Sequence, residues 1–187
     1  MVKPTKSARQ NNQLRIVGGE FRRRVLSFPD GEGLRPTPDR VRETLFNWLG
    51  QELPGWSCLD LFAGSGALGF EAASRGAKRV VMVEQARPAV AALKQNKELL
   101  KASAVDVVAG DALAWLGRCA ERFDLVMLDP PFASDFLPRV LAQLAPVLSE
   151  DAYVYIETGN WPDLAGWTVL REGKAGVVRY GLIQAEA

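Results

Sequence analysis

From residue 56 to residue 158 the chain alternates short apolar runs with longer stretches whose apolar residues recur every three or four positions. The apolar runs at 58–62, 79–84, 105–109, 123–129 and 152–158 predict strands, and the stretches at 67–75, 87–101, 111–120 and around 136–148 predict helices. In the helix over 87–101, Val90, Leu93, Lys97 and Leu100 fall in register. Strands that are apolar throughout belong in a parallel sheet covered on both faces, joined by right-handed crossovers. The tail, 167–171 and 177–183 around Gly173 to Gly176, predicts a closing hairpin. The fold class is therefore α/β. In such a sheet a ligand sits beyond the carboxyl ends of the strands, which directs attention to Phe62, Glu84, Ala109 and Asp129.

The residues ahead of this domain follow a different pattern. Two short β-like runs around Gly18-Gly19-Glu20 predict a hairpin, which places Arg15, Arg22, Arg23 and Arg24 on a small two-stranded arm. Thr37 followed by Pro38 reads as an N-cap and a first-turn proline. Val41, Leu45, Trp48 and Leu49 then mark an amphipathic helix of about 12 residues ending near Gly50, with Arg40, Arg42 and Glu43 on or beside its polar side. The chain divides into a basic tail over 1–12, expected to be disordered, an N-terminal hairpin and helix over 13–52, and the main domain over 53–187.

Composition narrows the chemistry. Of 187 residues, 48% are hydrophobic and 24% charged, the balance of a soluble globular protein. No apolar run reaches the ~18 residues of a membrane span. The polar, basic start carries no apolar signal-peptide core, so a cytoplasmic location is expected. Cys58 and Cys119 lie in no metal spacing and read as reduced thiols. The count of histidines is 0, which removes Ser-His-Asp hydrolysis and histidine-ligated zinc, so no metal is expected. The net charge of +1 hides an asymmetry: residues 1–42 hold ten of the 23 Lys/Arg but four of the 22 Asp/Glu. A basic end on a mildly acidic domain fits a polyanionic partner met by one end, or simply a solvated tail.

After the first predicted strand of the main domain, Asp60 leads into a G-x-G-x-x-G loop at Gly64, Gly66 and Gly69, and acidic Glu84 ends the next strand. Such a loop lets backbone approach a ligand, while the carboxylate accepts from ribose hydroxyls. A nucleoside-containing cofactor follows. The dinucleotide fingerprint is also satisfied, but Asp60 would repel a pyrophosphate and attract a sulfonium or an ammonium, which favours S-adenosylmethionine over NAD. Asp111, after the third of these strands, can accept from an adenine amine, cap the next helix, or both.

The strand ending at Asp129 runs directly into Pro130, Pro131 and Phe132. Two prolines remove donors and fix an extended exit while keeping their carbonyls as acceptors. An aromatic amine is a poor nucleophile because its lone pair is delocalised. A carboxylate and a carbonyl accepting its two N–H bonds favour a pyramidal nitrogen, and a stacked ring holds the base flat. Asp129, Pro130 and Phe132 supply that set.

The segments DLFAGSGALGFEAASRGA, VEQ, GDA and LDPPF resemble the class I methyltransferase motif series. With RIVGGEFRRRVLSFP and LRPTPDRVRETLFNWL they resemble the bacterial RsmD family, small-subunit ribosomal RNA guanine-N2 methyltransferases, over about residues 14–183. The resemblance implies a Rossmann-like fold with a seven-stranded, mostly parallel sheet whose last strand is antiparallel. It implies cofactor contacts at Asp60, Ala63, Gly64, Gly66, Glu84, Gln85, Asp111 and Ala112. It also implies amine contacts at Asp129 and Pro130, Phe132 against the base, and Arg35 near the mouth of the site, serving RNA or cofactor. The implied substrate is a guanine of 16S ribosomal RNA in the small subunit or its assembly intermediate, met by a monomer with no membrane involved. Arg15, Arg22, Arg23, Arg24, Arg35 and Arg40 are the expected RNA contacts. Adenine-N6 and protein glutamine methyltransferases share the Pro-Pro-aromatic logic but more often open it with Asn; Asp129, acceptor-only when ionised, tilts toward guanine. An NAD-dependent oxidoreductase remains the alternative from another class.

Overall fold

The computed structural model describes residues 12–31, 34–132 and 135–187. Residues 1–11 of the tail expected to be disordered lie outside these; Asn12 opens the first strand. The elements run β1 (Asn12–Arg15), β2 (Val25–Phe28), α1 (Asp39–Trp48), β3 (Ser57–Asp60), α2 (Ala67–Ser74), β4 (Arg79–Glu84), α3 (Arg87–Leu100) and β5 (Val105–Ala109). They continue as α4 (Ala112–Leu116), β6 (Phe123–Leu128), α5 (Phe136–Leu141), β7 (Leu148–Thr158), β8 (Trp167–Ala175) and β9 (Val178–Ala185).

Seven strands form one sheet in the order β5-β4-β3-β6-β7-β9-β8, with β3 to β7 mutually parallel and β9 antiparallel to both its neighbours. Strand order reverses between β3 and β6, the crevice where such sheets take ligands. Alternation along each strand sorts the core into two layers. Cys58, Met82, Met127 and Tyr155 pack under α1, α2 and α3; Leu59, Val83, Leu128 and Ile156 pack under α4 and α5.

The predicted strands at 79–84 and 105–109 match β4 and β5. The helix expected over 111–120 stops at Leu116, where Gly117 caps it and is a poor helix former. The one expected around 136–148 ends at Leu141 and is followed by a 3-10 turn, Ala145–Val147. Pro146 has no N–H with which to extend it.

The N-terminal hairpin shares the core of the sheet: Leu14, Ile16, Leu26 and Phe28 cluster with residues of α1, α2 and α3. Its strands pair from Asn12↔Phe28 to Arg15↔Val25, so the connection spans residues 16–24, longer than the Gly18–Glu20 turn expected. That connection is docked on α2. Ser74 accepts from the Glu20 N–H at 2.8 Å through its carbonyl and from the Phe21 N–H at 2.9 Å through its hydroxyl. Gly19 is needed here, since at φ +77 an added Cβ would lie 1.9 Å from the Ser74 carbonyl oxygen.

Two expectations about α1 are corrected. Thr37 is not the N-cap: the helix is capped at Pro38, without a side-chain hydrogen bond, and Thr37 bonds elsewhere. Arg42 is not on a solvated face but is 1% exposed, paired at 2.9 Å with Glu71, itself 0% exposed. Glu71 also accepts from the Val17 N–H (3.0 Å), the Gly18 N–H (2.8 Å) and Arg75 Nε (3.1 Å). One buried carboxylate thus ties the hairpin, α1 and α2 together, with its charge matched and its lone pairs filled.

Candidate active site

The geometry of the candidate site follows from strand register. Asp60 pairs with Met82 and with Met127, and Met127 pairs with Tyr155. Two residues beyond those partners stand Glu84, Asp129 and Glu157, each on the same sheet face as Asp60 because side chains alternate. Four carboxylates from four strands therefore converge on one edge of the sheet, on the face covered by the N-terminal segment. Asp111 and Ala112 follow at the end of β5, the next strand along.

Asp60 is 1% exposed. Its Oδ2 accepts from the Gly69 N–H at 2.9 Å, while Oδ1 is the one buried side-chain polar atom without a partner among the described residues. Burial, opposed by the Gly69 bond and reinforced by the charges of Glu84 and Glu157, pushes its pKa up to about 7 from an ordinary 3.8. Glu84 accepts from the Gly64 N–H (2.8 Å) and the Ala86 N–H (2.9 Å), clamping the glycine loop to the turn after β4. Gly66, at φ +84, closes that loop onto α2, where a Cβ would press within 2.6 Å of the Phe70 ring. Ala63 donates its N–H to the Val83 carbonyl at 2.9 Å. Gln85 is exposed. Asp111 caps α4, accepting from the Ala114 N–H at 2.8 Å, and is otherwise exposed.

S-adenosylmethionine carries a sulfonium, an ammonium and an adenosine, and these residues fit it. The orphaned Oδ1 of Asp60 needs a donor, and a cation would settle its charge. Glu84 keeps spare lone pairs for ribose hydroxyls, and Asp111 stands at the neighbouring strand end. From Ser57 to Ser74 the chain holds no Lys or Arg to receive a pyrophosphate.

Asp129 sits beside Asp60 at the reversal of strand order. Its carboxyl makes no hydrogen bond within the described residues. Burial first, then the charges of Glu157 and Asp60, raise its proton affinity well above that of an ordinary carboxylate. Pro130 is buried, Pro131 exposed, and Phe132 leaves 51% of its surface open, an unusual exposure for a large ring.

Glu157 was not among the residues singled out from sequence. It is 4% exposed at the end of β7. Its Oε1 accepts from the Thr37 hydroxyl at 2.6 Å and the Tyr155 hydroxyl at 2.9 Å. Burial raises its pKa and these two bonds oppose the rise. The strand-end rule applied to the fifth strand of the domain would have found it.

The arginines separate into two groups. Arg35 and Arg40 are exposed on either side of Thr37, and Leu34 reaches the glycine loop, its Cδ1 3.5 Å from the place a Cβ on Gly64 would take. Leu34 therefore brings its neighbour Arg35 to the border of the site. Arg22, Arg23 and Arg24 are exposed in the connection docked at Ser74, at the far end of α2. Eight residues of helix at 1.5 Å each place that loop ~12 Å from the glycine loop. Arg15 is exposed on β1.

The reversed strand β9, inserted between β7 and β8, distinguishes this sheet from a dinucleotide-binding one, and the fold is that of the class I methyltransferases. The family profile described as "Conserved hypothetical protein 95" matches residues 14–184. Ribosomal RNA small subunit methyltransferase D of Escherichia coli is 42% identical over 193 residues, covering 100% of this chain and 96% of that one. The protein of the same name from Haemophilus influenzae is 39% identical, covering 98% and 100%. A solved Escherichia coli chain, described as a candidate methyltransferase, superposes with a TM-score of 0.86 at 42% identity, covering 94% of this chain and 99% of that one. The chain belongs to the RsmD family of small-subunit ribosomal RNA methyltransferases.

Proposed function

We propose that this chain transfers a methyl group from S-adenosylmethionine to the exocyclic N2 of a guanine in small-subunit (16S) ribosomal RNA. The observation that carries this reading is the adjacency of β3 and β6: the glycine loop with Asp60 and the Asp129-Pro130-Pro131-Phe132 turn leave parallel neighbours at the same edge. The names of the 42% and 39% identical relatives support the class of RNA.

When bound, S-adenosylmethionine supplies an electrophilic methyl group. The chain supplies position and charge. Asp129 and the Pro130 carbonyl accept the two N–H bonds of the amine, concentrating its lone pair, and Asp129 receives the proton that the nitrogen sheds. Phe132 offers a ring face on which the base lies flat. Arg35 and Arg40 hold phosphates at the mouth, and Arg15, Arg22, Arg23 and Arg24 hold others farther along, adding affinity without reading sequence.

The test is to incubate the protein with labelled cofactor and unmodified small subunits, free ribosomal RNA or DNA, then identify the methylated nucleoside by mass. N2-methylguanosine from small subunits or their RNA is expected; N6-methyladenosine would replace this reading with the adenine one. Heat stabilisation by S-adenosylhomocysteine and not by NAD separates it from an oxidoreductase. Asp129→Ala should keep cofactor binding and lose methyl transfer by at least ~100-fold.

A further inference from the structure

The last paired rung between β6 and β7 is Leu128↔Ile156. The next places Asp129 beside Glu157, on strands that run ~4.8 Å apart. Glu157 is anchored through one oxygen only: Oε1 takes both the Thr37 and Tyr155 hydroxyls, and Oε2 has no partner among the described residues. At the end of these two strands, then, stand the Asp129 carboxylate, the Pro130 carbonyl and the Oε2 of Glu157, none of which has a hydrogen-bond partner among the described residues. All three accept and none donates while the carboxylates are ionised.

We propose that Glu157 is the specificity-determining residue of this site, reading guanine by accepting its N1–H through Oε2 while Asp129 and the Pro130 carbonyl hold the N2 amine. The inference rests on guanine being the substrate base. Guanine presents three N–H bonds on the adjoining atoms N1 and N2, which match three acceptors one to one. Adenine presents an amine beside an N1 lone pair, which would face a buried carboxylate with no proton between them. A pocket built to receive a donor rejects a base that leaves its acceptor unpaired far better than a pocket that reads shape alone. The charge of Glu157 also adds to burial in raising the proton affinity of Asp129, so a ligand rich in donors relieves the site. Thr37 and Tyr155 hold Glu157 in place for this role, and Thr37 belongs to the N-terminal segment that covers the site.

The variant Glu157→Gln isolates the role. Its amide oxygen can keep both hydroxyl bonds while its NH2 replaces Oε2, turning an acceptor into a donor. Small subunits are reconstituted from RNA carrying either guanine or 2-aminopurine at the nucleotide that the mass assay identifies. 2-Aminopurine keeps the exocyclic amine but has a bare N1. The wild type should prefer guanine by about 100-fold in kcat/KM. Glu157→Gln should lose about 100-fold on guanine, gain on 2-aminopurine, and so abolish or invert the preference, while S-adenosylhomocysteine still binds. Equal use of both bases by the wild type, or equal loss on both by the variant, overturns the proposal while leaving the proposed activity intact. If the wild type methylates neither, the guanine reading itself falls and takes this inference with it.

Discussion

The hydroxyl of Thr37 donates to Oε1 of Glu157 at 2.6 Å, joining residues 120 positions apart in the chain. Both are buried, so the bond fixes the covering segment to the edge of the sheet where the four carboxylates stand. Thr37→Val keeps the shape and removes the donor. Leaving the Glu157 carboxyl with Tyr155 alone should cost ~1–2 kcal/mol of stability, read as a lower urea midpoint with an unchanged slope, together with reduced methyl transfer. A variant as stable and as active as the wild type would show that the bond contributes to neither.

Glu71 should be the more damaging position. It is 0% exposed and faces Arg42, 1% exposed, and Arg75. Glu71→Ala takes the buried carboxylate from Arg42, which keeps Asp39 and the Thr37 and Arg15 carbonyls, and leaves two hairpin N–H groups unpaired, for an expected loss of ~2–4 kcal/mol. Limited proteolysis should then cut within residues 16–24 before the sheet opens. A loss below ~1 kcal/mol in urea unfolding would contradict this account.

Asp60 makes stability and cofactor binding depend on pH in opposite directions. Its folded pKa of about 7 lies above its ordinary 3.8. Between those values the folded chain keeps a proton that the unfolded chain has lost. Raising the pH from about 4 to about 7 therefore removes up to ~4 kcal/mol from the free protein. A cationic ligand favours the ionised carboxylate, so affinity for S-adenosylmethionine should rise across the same window, with proton release on binding. Calorimetry in buffers of different ionisation enthalpy measures this directly. Asp60→Asn should bind more weakly and flatten the pH dependence; an unaltered profile would remove Asp60 from the cofactor site.

Neutralising Arg22, Arg23 and Arg24 together should raise KM for subunits and leave kcat near its wild-type value, since their loop sits at the end of α2 remote from the glycine loop. Three lost phosphate contacts should reduce the salt slope of binding by about 2–3. Affinity for S-adenosylhomocysteine should not change. An unchanged slope would mean that this loop does not meet RNA.

What the sequence disclosed and what it hid have a common cause. The run 79–84 was legible because its centre, Val80 to Val83, is buried on both faces and so must be apolar, and 105–109 because it is short and rich in valine. The glycine loop and the Asp129–Phe132 turn were legible because their chemistry is contiguous. Arg42, expected on or beside the polar side of α1, is buried, since a charge in a helix gives no local sign of a partner 29 residues away. Thr37 was misread as a cap for the same reason: its acceptor is in the fifth strand of the domain. Glu157 shows no motif at all, and only register with Asp129 brings it to notice.

Helix α2 begins at the glycine loop and carries Glu71 and Ser74 on its way to the far edge of the sheet. Anyone wishing to retarget this enzyme by grafting the N-terminal hairpin of another protein would therefore have to transplant acceptors from the helix that follows the glycine loop as well. The arm and the helix beneath it are exchangeable only as one piece.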